Sequence, residues 1–234
     1  MRKFDYSFLK RISVPADIMN YATSIYEMKA KAELRRTDFA DVFSAMESVA
    51  KIQSVKSSNA IERIITTDKR IRDIVNKSTV PQGHNELEIA GYRDALDLIH
   101  GSYSEIPFSE KSILELHRIL LQPSGDDLAG RYKTEDNFII ETDREGVRSV
   151  RFTTVPASET AFAMEQLILA YHAAYLEAEI NPLMLITCVI LDLLCIHPFR
   201  NVNGRMSRLL SLLLMYKSGF NAGKYVSIEE QINT

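Results

Sequence analysis

The sequence contains few of the residues that interrupt regular structure. Nine glycines and seven prolines among 234 residues disfavour a collagen-like repeat, a low-complexity disordered chain and a turn-rich β sandwich. Cysteine is also scarce. Cys188 and Cys195 are too far apart for a C-x-x-C pair and too few for a disulfide framework, which predicts a reducing, cytoplasmic location.

The sequence also lacks an excess of positive charge and a long hydrophobic run. The formal net charge is −3 at pH 7, so nucleic acid is an unfavoured partner for this domain. The strongest apolar run, residues 183–196, includes Thr187 and Asp192 and is shorter than the roughly 20 residues of a membrane span. We therefore expect no membrane partner.

Helical periodicity of the apolar residues fills most of the chain instead. Ser13 is predicted to cap the first helix and Ser109 the fifth. The predicted helices cover residues 14–36, 38–56, 58–76, from 85 onward, from 109 onward, 158–179, 182–196 and 203–218.

One stretch departs from this period. Residues 137–140 and 149–152 are short β-prone segments on either side of a turn that contains Gly146. An isolated hairpin is only marginally stable, so this one should pack as a flap on the helical body. The predicted fold class is all-α with one short β-hairpin, in a single domain.

The most informative segment joins two strongly apolar helices and reads His197-Pro-Phe-Arg-Asn-Val-Asn-Gly-Arg205. Helices that are apolar on every face are buried, and a polar connection between them is costly unless its groups are used. Gly204 is expected to allow a sharp bend ahead of a helix start, and helix starts bind anions. Arg205 and Arg208 lie within one turn, where both could reach the same phosphate.

This segment resembles the signature of the Fic family, H-P-F-x-[D/E]-G-N-G-R-x-x-R. Further similarities are Glu88-Ile-Ala-Gly-Tyr92, Leu116-His-Arg-Ile119, Gly130-Arg-Tyr-Lys133 and Tyr225-Val-Ser-Ile-Glu229. The resemblance implies a Fic-type helical bundle with a hairpin flap that holds a target segment by strand addition. It also implies a protein adenylyltransferase, which transfers AMP from its substrate ATP to a hydroxyl side chain of an unknown target protein.

The family's roles can be carried over by position. His197 would be the general base that accepts the proton of the attacking hydroxyl, which suits an imidazole. Asn203 and Gly204 would form the anion hole, and Arg205 would hold the terminal phosphates. Arg208 would add a second phosphate contact, while Phe199 would pack rather than react.

Two positions depart from the signature. Asn201 replaces the acidic residue that binds Mg²⁺ in the family, and its neutral oxygen predicts weak metal binding. Val202 replaces glycine or alanine, although Val disfavours a positive φ. These departures leave two alternatives open: a degenerate relative that binds nucleotide without efficient transfer, or a regulatory interaction module of an antitoxin-like or DNA-associated kind.

A second motif lies upstream. Ser58-Asn-Ala-Ile-Glu62 resembles the family's inhibitory motif, [S/T]-x-x-x-E-[G/N], with Arg63 in place of the final residue. Ser58 and Glu62 are four residues apart and share a helix face, and the resemblance implies that Glu62 pairs with Arg205.

The resemblance also sets the expected domain organisation. Residues 1–234 are expected to form one Fic-type domain, with N-terminal helices and the inhibitory segment in residues 1–80 and the core in residues 81–234. A C-terminal domain missing from this chain and a homodimer both stay open.

Overall fold

The structure is a computed structural model that describes residues 4–143, 145–177 and 179–233. These ranges hold two strands, β1 (Phe138–Thr142) and β2 (Arg148–Thr153). The α-helices in the same ranges are α1 (Ala16–Arg35), α2 (Ala40–Ile61), α3 (Asp68–Val75), α4 (Gly83–Ser102), α5 (Glu110–Leu121), α6 (Ala157–Tyr175), α7 (Pro182–Ile196), α8 (Asn203–Lys217) and α9 (Ile228–Asn233). No helix in these ranges is long and apolar enough to cross a membrane. The predicted class, all-α with one hairpin, is confirmed.

Most of the buried hydrophobic residues belong to helices α4 to α8, in the middle and the last part of the sequence. Helix α4 packs on α5, and α7 lies between α6 and α8. Helix α8 is buried along most of its length, as its sequence predicts, whereas α7 is buried on one side only, with six of its fifteen residues buried and Leu191 exposed. Gly91 on α4 sits so close to α5 that a Cβ there would overlap the carbonyl oxygen of Leu120. The signature loop therefore joins two helices that both pack against the core.

The helix boundaries agree with the sequence in some places and not in others. The side chain of Ser109 accepts a hydrogen bond from the backbone N–H of Ser112, as predicted. Ser13 is not a cap, because α1 begins after Pro15 without a side-chain cap. The predicted break near Lys56 is also wrong, since α2 continues to Ile61.

The hairpin has the predicted location. Strands β1 and β2 are antiparallel, and the register shifts between Ile139 and Ile140. The Asp143 carboxylate accepts the N–H groups of Glu145 and Val147, and Gly146 takes a φ of +85°. Arg144, which belongs to the predicted turn, lies outside the described residues.

Helix α1 differs from the rest because none of its residues is buried. Its contacts with the body include Tyr26, whose ring centroid lies 5.2 Å from that of Phe220. The Lys29 ammonium lies 4.9 Å from the centroid of the same Phe220 ring. An apolar groove of about 290 Å³ separates parts of α1 and α2.

Candidate active site

The signature loop has two non-glycine residues in the left-handed region. His197 ends α7 with a φ of +53°, and Val202 precedes α8 with a φ of +63°. Val202, which precedes α8, supplies no side-chain cap to the first N–H groups of the helix. Helix starts of this kind attract anions. The loop therefore leads into an uncapped helix start at the place where the sequence predicts a phosphate site, and phosphate binding there stays a prediction.

Asn203 and Phe199 close the loop on itself. The Asn203 side-chain oxygen accepts from the N–H of Phe199 at 3.0 Å, and its amide nitrogen donates to the Phe199 carbonyl oxygen at 2.7 Å. The Phe199 ring is fully buried and stacks on His117, with centroids 3.8 Å apart. Phe199 is therefore the packing anchor that the sequence predicts, and the Asn203 side chain maintains the shape of the anion loop.

His197 is half-buried at the end of α7. Its Nδ1 lies 3.4 Å from the carbonyl oxygen of Leu194. Burial lowers the pKa of His197, the charge of Lys133 lowers it further, and the Leu194 carbonyl and Glu62 act in the opposite direction. A neutral imidazole at neutral pH can accept a proton, which a general base requires.

The segment from Ser58 to Glu62 contacts α8, but through a different arginine from the predicted one. The Arg208 guanidinium donates to Glu62 Oε1 at 2.8 Å, to the Ser58 hydroxyl at 2.8 Å and to the Ser58 carbonyl oxygen at 2.9 Å. The predicted pairing of Glu62 with Arg205 is wrong, because Arg205 is bound elsewhere. Ser58 and Glu62 do face the site together, as their spacing predicts.

Arg205 is held by two other elements. Its guanidinium forms a buried ion pair with Glu88 on α4 and donates to the Asn59 side-chain oxygen at 3.3 Å. Glu88 also contacts His84, whose Nε2 lies 2.9 Å from Glu88 Oε1. Arg205 is only 4% exposed, so its position is fixed before any ligand arrives.

Gly204 does not form the sharp bend that the sequence predicts. Its φ is not positive, so the sharp turn lies at Val202 instead. A Cβ at residue 204 would overlap Oε1 of Glu62, and it would lie 3.3 Å from an Arg208 nitrogen. The absence of a side chain at Gly204 thus allows the Glu62 carboxylate to approach the start of α8 closely.

A polar cleft of about 600 Å³ opens beside the loop. Its wall includes Glu62, Glu88, Asn201, Val202 and Arg205. Asn201 is exposed, and the described residues contain no group of three or more His, Cys, Asp or Glu that could hold a metal ion. Position 201 offers only a neutral amide oxygen, and the charged oxygens that Mg²⁺ prefers come in this cleft from Glu62, Glu88, Asp126 and Asp127.

Sequence reasoning did not single out five residues that shape this site. They are Asn59, Glu88, Lys133, Asn137 and Thr154. Glu88 and Lys133 belong to two of the segments that resemble the family, so a signal for them was present.

Fold and loop together define a Fic-type domain. The family model described as the Fic/DOC family matches residues 107–215, which include α5, the hairpin, α6, α7 and the signature loop. These residues of the chain therefore match the Fic/DOC family.

Known relatives agree with this assignment. The chain is 28% identical over 181 residues to "Protein adenylyltransferase Fic" of Nematostella vectensis, covering 73% of this chain and 39% of that protein. A Fic family protein from Desulfovibrio desulfuricans G20 superposes with a TM-score of 0.77 at 19% identity, over 95% of this chain and 64% of that one. A Fic domain containing signaling protein from Bacteroides thetaiotaomicron VPI-5482 superposes with a TM-score of 0.71 at 21% identity, over 83% of this chain and 73% of that one. The chain spans less than half of the Nematostella protein.

Proposed function

We propose that this chain is a protein adenylyltransferase restrained by Glu62. The observation that carries the proposal is the convergence of a half-buried His197 and an uncapped helix start on one loop. The name of the Nematostella relative supports the same reaction. ATP is the proposed donor, and a hydroxyl side chain of a protein is the proposed acceptor.

The proposed step is a displacement at the α-phosphorus of ATP. The hydroxyl oxygen of the target forms a bond to that phosphorus, the bond to the oxygen bridging to the β-phosphate breaks, and pyrophosphate leaves. His197 accepts the hydroxyl proton. The N–H groups at the start of α8 stabilise charge on the α-phosphate, and Arg205 and Arg208 supply positive charge for the departing phosphates.

Glu62 would restrain this step in two ways. Its carboxylate satisfies Arg208, which is thereby withheld from a phosphate. It also lies against Gly204, at the start of the helix that would receive the anion. A carboxylate and a phosphate in the same place repel each other, so Glu62 must leave before ATP can take its productive position.

Removal of Glu62 tests the proposal. Glu62→Gly is expected to increase AMP transfer at least tenfold over the parent, because Arg208 and the start of α8 become accessible to phosphate. The measurement is incorporation of α-labelled ATP into the protein itself and into lysate proteins, with magnesium present. His197→Ala in the Glu62→Gly background is the control and should abolish transfer. Equal labelling with and without His197 would contradict the mechanism.

A second candidate is a degenerate relative that binds nucleotide without efficient transfer. Asn201 and Val202 favour it, since one removes a metal ligand and the other adds a branched side chain beside the loop. Calorimetry with ATP separates the two candidates. Tight binding to Glu62→Gly without any label transfer would identify the degenerate relative, whereas absence of binding would favour an interaction module.

A further inference from the structure

The backbone around His197 is held from outside α7 and α8 as well as by these two helices. All four carbonyl oxygens from Ile196 to Phe199 accept hydrogen bonds from residues near the flap. Lys133 donates to Ile196 through its side chain (3.2 Å) and to Pro198 through its backbone (2.9 Å), and Asn137 donates to His197 (3.4 Å) and Phe199 (3.0 Å). The conformation of the loop therefore depends on a segment that precedes it by about sixty residues.

The Lys133 ammonium is the centre of this cluster. Its three donors meet three neutral oxygens: Asn137 Oδ1 at 2.8 Å, Thr154 Oγ1 at 2.9 Å and the Ile196 carbonyl oxygen at 3.2 Å. Lys133 is only 4% exposed, and no ion pair with it is found among the described residues. A buried cation without a carboxylate is costly unless each donor is satisfied, as here.

The other two members of the cluster lie at the two ends of the flap. Asn137 directly precedes β1, and Thr154 directly follows β2. The Thr154 hydroxyl donates to the Asn137 carbonyl oxygen at 2.7 Å, which closes the base of the hairpin. One ammonium group thus joins both ends of the flap to the carbonyl end of α7, where a positive charge is favourable.

We propose that Lys133, Asn137 and Thr154 are positioning residues that fix the flap relative to His197. A left-handed His costs free energy and persists only where its surroundings enforce it. The same hydrogen bonds that enforce it also set the distance between the base and any segment paired with the flap. This inference rests on the proposed function, because a target segment bound to the flap would be aligned with His197 by this cluster.

Hydrogen exchange measured by mass spectrometry tests the cluster without any enzymatic activity. Lys133→Met keeps the aliphatic stem and removes the three donors. We expect exchange at pH 7 to become at least tenfold faster in the loop 196–203 and in the hairpin 138–153 together. Arg151→Met is the matched control, since Arg151 pairs with Glu141 in the exposed hairpin and should affect only the hairpin.

A milder pair of variants covers the case in which Lys133→Met fails to fold. Thr154→Val removes the hydroxyl at nearly constant shape, whereas Thr154→Ser retains it. The proposal is supported if hydrogen exchange becomes faster in residues 196–203 and 138–153 in Thr154→Val but not in Thr154→Ser. Unchanged exchange of residues 196–203 in both Lys133→Met and Thr154→Val would overturn it, whatever the activity.

Kinetics then separate positioning from general structural damage. In the Glu62→Gly background, Thr154→Val should raise the KM for a protein target at least fivefold and leave the KM for ATP within twofold. Equal changes in both constants would contradict a role in aligning the target. If Glu62→Gly transfers no AMP at all, the proposed function fails, and the exchange measurement still decides whether the cluster holds the loop.

Discussion

Val202 is a β-branched residue in a backbone conformation that glycine favours. Its φ of +63° follows from its place between the buried Phe199–Asn203 closure and the first turn of α8. The left-handed conformation costs an L-residue roughly 1–2 kcal/mol. The side chain recovers part of this because it packs partly against the core. Val202 in place of the glycine or alanine of the family signature thus adds backbone strain, while the loop still makes its turn at this residue.

This balance predicts an unusual order of stabilities at residue 202. Val202→Gly should change the free energy of unfolding by less than about 1 kcal/mol, since relief of strain offsets lost packing and added chain entropy. Val202→Ala should be less stable than Val202→Gly by about 1 kcal/mol, because alanine keeps the strain and loses the packing. Urea unfolding of both variants measures the order. Alanine more stable than glycine would show that the left-handed strain is absent.

The sequence alone does not decide which of two arginines, Arg205 or Arg208, pairs with Glu62. Both arginines lie within one turn of α8, so spacing alone allows either one to meet Glu62. Tertiary packing decides, because α4 brings Glu88 to Arg205 and leaves Arg208 to Glu62. His197 and Phe199 could be predicted, since a local motif defines them. Asn59 could not, because its contact depends on how α2 crosses α8.

At the scale of elements, the close contact between α4 and α5 governs the site. Gly91 permits this contact, because any side chain would overlap the backbone of Leu120. Helix α4 carries Glu88, and α5 carries His117, which stacks under Phe199. The distance between these two helices therefore sets the positions of Arg205 and of the signature loop.

Two glycines of α4 give a matched test. Gly91→Ala should lower the free energy of unfolding by at least about 2 kcal/mol, because backbone cannot move aside as a side chain can. Gly101→Ala lies in the same helix with open space around it and should raise stability by about 0.5–1 kcal/mol. Thermal or urea unfolding measures both. Similar effects of the two substitutions would refute the close-contact explanation.

A helix or strand could be predicted where the residues that define its ends lie next to it in the sequence. Ser109 caps α5 through its own side chain, and the β-prone segments around Gly146 form the hairpin. The sequence does not predict the end of α2 at Ile61, because the chain turns there at Arg63, a left-handed residue without glycine or proline nearby. The Thr67 hydroxyl then caps α3 by accepting a hydrogen bond from the backbone N–H of Arg70. The sequence does not reveal this helix start, because the apolar residues on both sides of Thr67 follow one continuous helical period.

For the whole molecule, burial is distributed unevenly along the chain. The N-terminal α1 contributes no buried residue, while α4 to α8 supply most of the core. Several large apolar side chains of α1 and the first half of α2 are exposed, among them Tyr21, Met28, Leu34, Phe39 and Val49. The stability of the domain therefore depends little on α1.

A pair of leucines checks this distribution. Leu34→Ser should change the free energy of unfolding by less than about 0.5 kcal/mol, since Leu34 is 79% exposed. Leu116→Ala should lower it by about 2–5 kcal/mol, since Leu116 is 1% exposed. Both are measured by urea unfolding at several protein concentrations. A loss at Leu34 that grows with concentration would instead show that a second copy covers α1.

The arginines of α8 have a consequence for how the protein acquires its site. Arg208 meets Ser58 across 150 residues of sequence, and Arg205 meets Glu88 across 117. Contacts this distant form only after the intervening chain has collapsed, because loop closure must precede them. During synthesis, Arg205 and Arg208 can each meet a partner only after that arginine itself has left the ribosome. The ion pairs of these two arginines are therefore late markers of refolding, which can return only with the assembled core.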